Sequence, residues 1–89
     1  MKTQVDKTGA QERLAELLRE RLEVIADRAW YARDAVGHLA ALQKVSEAIE
    51  EQVRVLPLPL NPQFAHYLER RSYDKALAFL EGRVPEDHA

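Results

Sequence analysis

The chain has 89 residues, with 13 Lys and Arg against 15 Asp and Glu and a formal net charge of −2. That length supports one domain and excludes a self-contained kinase, polymerase or doubly wound dehydrogenase, and the charges are mixed throughout, with five basic and six acidic groups over 9–35 and four and five over 57–89, so no basic face for nucleic acid is segregated. Cysteine is absent, which excludes disulfides, thiolate metal clusters and cysteine nucleophiles and suits a reducing compartment.

Residues 1–8 are polar, lack the apolar core of a signal peptide and are expected to fray. Thr8-Gly9-Ala10-Gln11 reads as a helix start in which Thr8 and Gln11 cap each other's backbone. From there to Leu56 there is no proline and one interior glycine, Gly37, and strong helix formers dominate. The apolar positions step by three and four. Leu14, Leu18, Ile25, Ala29, Ala32, Val36, Leu39, Leu42, Ile49 and Val53 form one stripe that runs on to Leu56. Period-two alternation is missing, so the expected class is all-α.

A single helix over 9–56 would extend about 70 Å, too long to bury its stripe inside one small monomer. Either it breaks near 33–37, with Asp34 capping a second helix and Gly37 relaxing the backbone, or it continues and buries the stripe against a partner. No proline or Asn-Gly pair marks a turn there, so the reading favours a continuous or merely kinked helix. Both routes lead to a helical bundle, the second one completed by dimerisation. Arg19 with Glu23, Glu50 with Arg54, Glu16 with Arg19 and Lys44 with Glu47 have the spacing of surface pairs on a helix.

Leu56-Pro57-Leu58-Pro59-Leu60-Asn61-Pro62 ends the long segment and sets an extended elbow over 57–61. Leu56, Leu58 and Leu60 are expected to peg that elbow onto the bundle. Asn61 then caps a short helix with Pro62 in its first turn, running to about Arg70. Ser72 caps another from Tyr73 to Glu81, and Gly82 stands where a helix C-cap glycine belongs. The chain thus reads as a single helical domain over 9–82 (a long segment 9–56, the elbow, a short helix pair 62–82) with a loose tail over 83–89. No apolar run approaches the ~20 residues that cross a bilayer, and a soluble, cytoplasmic protein is expected.

Little in the sequence carries chemistry. Asp34 and His38 share a helix face, but zinc needs at least three protein ligands, and the Glu-x-x-His pairs of helical di-iron sites do not occur. Ser46 and Ser72 lack the glycine frame of a nucleophile elbow. Asp34-Ala35-Val36-Gly37-His38 is similar to the D-x-V-G-H stretch of one class of bacterial sensor histidine kinases, whose dimerisation domain is a helical hairpin. In that family the phospho-accepting histidine precedes the Asp. Arg33 stands there in this chain and cannot accept a phosphoryl group, so the resemblance implies a dimerisation module without phosphotransfer.

Trp30 and Tyr31 lie between Arg28 and Arg33. Adjacent helical residues point about 100° apart, so a narrow stripe cannot bury both aromatics, and Tyr31 is expected at a stripe edge or an interface. Arginine and aromatics are enriched in interaction hot spots, which makes Trp30, Tyr31, Arg28 and Arg33 a candidate partner surface. The expected function is a non-catalytic helical interaction or scaffold module, self-associating as a homodimer through the 14–56 stripe and possibly binding another protein, with no metal, no cofactor and no membrane. The alternatives are a dimeric DNA-binding regulator that uses helices 62–81, where Arg70, Arg71 and Lys75 cluster, and a small all-helical enzyme lined by Arg21, Arg28 and Arg33.

Overall fold

A computed structural model describes residues 7–83 of the chain. They form five helices: α1 (Lys7–Ala26), α2 (Arg28–Arg33), α3 (Ala35–Arg54), α4 (Pro62–Glu69) and α5 (Tyr73–Leu80). No strand occurs among the described residues, and no helix among them is long and apolar enough to cross a membrane. The tail from residue 84 and the first six residues lie outside the described part. α1 is already helical at Lys7, so Thr8 lies inside the helix and is not its N-cap.

The favoured reading of the long segment as one continuous or merely kinked helix is not what the chain adopts. It breaks twice. The Asp27 carboxylate accepts the Trp30 N–H at 3.0 Å and opens α2. Seven residues on, the Asp34 carboxylate accepts the Gly37 N–H at 3.0 Å and opens α3. Each aspartate satisfies an amide that a new helix leaves without an intrahelical partner. A Cβ on Gly37 would stand 2.1 Å from Oδ2 of the capping Asp34 carboxylate. Gly37 therefore makes room for the cap and is not a point of flexibility.

With α2 as the turn, α1 and α3 fold back to back as an antiparallel hairpin. Gln52 Nε2 donates to the Ala10 carbonyl at 3.0 Å at one end, and His38 Nε2 donates to the Val24 carbonyl at 2.6 Å near the other. The Pro-rich elbow then returns α4 and α5 to the open end of the hairpin. Asn61 caps α4 by accepting from Gln63 N–H and Phe64 N–H, with Pro62 in the first turn. Leu56 is buried and Leu60 packs against the core. Leu58 does not peg the elbow down as expected: it sits on a bend and is 79% exposed. A straight extended segment would put all three leucines on one side, and the bend throws the middle one outward.

The core lies between the α1 N-terminal half, the α3 C-terminal half and the α4–α5 pair. Leu14, Leu18, Ile49 and Phe64 are completely or almost completely buried there, each contributing about 1.5–3 kcal/mol relative to exposure. Phe64 of α4 stacks on Phe79 of α5 with centroids 5.1 Å apart. Buried Tyr67 keeps its hydroxyl satisfied by accepting from Gln63 Nε2 at 2.8 Å.

Both short helices close in the same way. In α5, Gly82 N–H reaches the Phe79 carbonyl and Arg83 N–H the Ala78 carbonyl, with Gly82 at φ +78. In α4, Arg71 N–H reaches Leu68 and Ser72 N–H reaches Tyr67, with Arg71 at φ +56. This paired closure needs one left-handed residue, which glycine supplies freely and arginine adopts at a cost. Ser72 holds the N-cap position of α5 but makes no side-chain cap bond.

Candidate interaction surface at the hairpin tip

The predicted stripe divides at the hairpin. Leu14, Leu18 and Ile49 are core, Val53 packs partly buried against it, and Leu42 is half-buried. Ile25, Ala29, Ala32, Val36 and Leu39 are exposed. The α4–α5 pair covers only the open end, so the stripe runs on past its cover. Val36 is 81% exposed, Tyr31 58% and Leu39 54%. An apolar depression of about 430 Å³ lies here, lined by Tyr31, Ala35, Val36, His38, Leu39 and Leu42.

The two aspartate caps set the shape of this tip. They bring Trp30 and Tyr31 of α2 edge-on to the His38 ring, with centroids at 5.7 and 5.5 Å. Trp30 is half-buried and Tyr31 exposed. Arg28 and Arg33, at the two ends of α2, are exposed beside them. The chain therefore brings all four candidate partner-surface residues to one turn, next to the uncovered part of the stripe. His38 is buried and joined to the Val24 carbonyl, while Asp34 caps α3, so the two expected to share a helix face are each used by the turn itself. No group of three metal-ligating side chains occurs among the described residues. His88 lies outside them.

The arginines expected to line an enzyme site are divided. Arg21 leaves the tip and lies over the Tyr73 ring at 5.1 Å, where it borders a shallow depression with Arg71, Lys75 and Asp74. Arg71 pairs with Glu50 at 2.5 Å. The surface pairs expected from spacing are replaced: Arg19 and Glu50 turn to partners on other elements, while Arg54 takes a different local one. Arg19 meets Glu81 at 2.8 Å instead of Glu16 or Glu23, and Arg54 meets Glu51. Spacing fixes which helical neighbours can meet, and a carboxylate brought in by another element competes with them. Arg71 holds the Glu50 carboxyl below its ordinary value by hydrogen bonding and charge. Hydrogen bonds from Arg19 and Arg83 do the same for Glu81.

What sequence reasoning missed at this site is Asp27, which has no periodic or motif signal and shows itself only as an aspartate three residues ahead of a bulky apolar residue. Compared with known protein families, curated proteins and solved structures, the chain matches none of them.

Proposed function

We propose that this chain is a small non-catalytic helical interaction module that self-associates as a homodimer, with the uncovered half of its apolar stripe as the contact face. The observation that carries the reading is the division of that stripe: residues of one type at one spacing are buried under α4–α5 and left in solvent at the tip. Contiguous exposed apolar surface on a small soluble protein marks a contact site. Tyr31, Arg28 and Arg33 rim it, and these are residue types that anchor protein interfaces. The lack of cysteine suits a cytoplasmic setting.

Light scattering over a concentration series tests this on the untagged chain, whose monomer is 10.2 kDa. A mass of twice that value at micromolar concentration is expected. Leu39→Glu places a charge on the face without touching the core and is expected to return the monomer mass with unchanged helical circular dichroism. A wild-type chain that stays monomeric overturns self-association. A Leu39→Glu chain that still dimerises moves the contact off this face.

A further inference from the structure

We infer that the chain also pairs by exchange, its two breaks straightening so that residues 7–54 form one helix in each of two copies and each α1 packs on the other copy's α3. The inference rests on self-association as the function and adds how the chains engage.

The observation is a seam that ignores the breaks. On α1, Ala10, Leu14, Leu17 and Val24 follow this seam and are buried or half-buried, and Arg21, on the same spacing, is half-buried against Tyr73 of α5. Those with which α3 answers are His38, Leu42, Val45, Ile49 and Gln52, again all buried or half-buried. Their spacing alternates four and three. Continued through the turn, the same alternation runs 24, 28, 31, 35, 38 without a missed step. That is the period of two helices wound together over a long contact. The hairpin uses the seam only on α1 and α3. Its three members around the turn are exposed: Arg28 and Tyr31 on α2 and Ala35 at the start of α3, with Tyr31 set against the His38 ring edge.

The register identifies the missing partner as a second copy. In two hydrogen bonds that join the hairpin, Gln52 to Ala10 and His38 to Val24, the residue numbers add to 62. Extended through a straight helix, that register centres on residue 31. Tyr31 of one copy then meets Tyr31 of the other, and Arg28 meets Asp34, cation against anion, once on each side of the two-fold. Asp34 is available for this only if it stops capping α3, the same change that straightens the chain. Exchange of identical elements through a hinge is a low-cost route to a dimer. Here the hinge consists of two aspartate caps, with no proline or glycine turn between them.

Two variants push the equilibrium in opposite directions. Asp27→Ala/Asp34→Ala removes both caps and favours the straight helix. Ala35→Pro fits the first position of α3 in the hairpin and is excluded from the interior of a straight helix. Spin labels on cysteines at Glu12→Cys and Glu51→Cys, both exposed, read the difference in a chain that has no other cysteine. Labelled chains are diluted into excess unlabelled chain, so only distances within one copy count. The hairpin holds the two sites on adjacent helices about 10 Å apart. One straight helix separates them by about 60 Å.

The expected result is a dimer with a long component in the wild type, strengthened at least tenfold relative to the short one in the double-alanine variant and lost in Ala35→Pro. A double-alanine dimer that shows only the short distance overturns exchange and leaves self-association standing, because closed hairpins are then meeting face to face. Monomers throughout, in wild type and variants alike, overturn both.

Discussion

The two ends of the hairpin are built from one sequence pattern and held by different means. At the open end a third layer exists: Phe64 and Phe79 stack over Leu14, Leu18 and Ile49, and Arg19–Glu81 and Arg71–Glu50 tie α5 and the α4–α5 turn back to α1 and α3. At the tip there are two layers only. Two aspartate side chains, one histidine bond and two ring contacts define the turn, and the apolar residues outside it stay wet. Burial of a stripe residue is thus decided by whether a further element reaches it, and periodicity along the helix carries no information about where that element stops.

Changes in the core end should have the largest effect. Phe64→Ala removes a completely buried ring and is expected to cost about 3–5 kcal/mol in denaturant unfolding, while Tyr31→Ala at the tip should stay within about 0.5 kcal/mol when both are read on monomeric Ala35→Pro chains. Equal costs would erase the distinction between the ends. Asp34→Ala comes next, at about 1 kcal/mol for a lost N-cap, measured in Ala35→Pro chains so that stability is read on the closed hairpin. Gly37→Ala should be smaller still in net stability. Its methyl displaces the Asp34 carboxylate, which loses the cap, yet alanine gains about 1 kcal/mol of helix propensity over glycine. Unfolding should shift by less than about 0.5 kcal/mol, and the long-distance component should rise, as expected for Asp27→Ala/Asp34→Ala.

The smallest effect is the acid response of the open end. Glu50 and Glu81 are held below their ordinary value of 4.5 by their arginine partners. A carboxylate with a lowered folded-state value contributes stability above its unfolded value and loses it as pH falls through the folded one. Thermal midpoints should therefore drop from about pH 5 downward, and a Glu50→Gln/Glu81→Gln chain should show a shallower drop.

The helical class was legible in the sequence because it rests on local spacing. Asn61-Pro62 and Gly82 were legible for the same reason: capping is chemistry between residues a few positions apart, and the structure uses Asn61 and Gly82 in those roles. Arg71 was not, because nothing local distinguishes an arginine that will adopt φ +56. The break at Asp34 was one of two open readings, and the one at Asp27 had no signal. An aspartate inside a helical pattern is equally at home as a surface charge, and only the return of α3 onto α1 makes the cap the better use. The candidate partner residues Trp30, Tyr31, Arg28 and Arg33 were legible as a group through their adjacency in sequence. Their place on a turn was not.

Trp30 is the chain's one tryptophan, and it stands against the His38 ring at the tip, away from the Phe64–Phe79 stack. Intrinsic emission excited at the red edge therefore reports on the turn alone, while backbone ellipticity reports on all five helices. A domain that melts as one unit gives superimposable curves from the two probes. This one carries its only indole where the packing is thinnest, so the emission curve should run ahead of the ellipticity curve, and the gap between them would measure, without any label, how far the tip loosens before the rest of the molecule gives way.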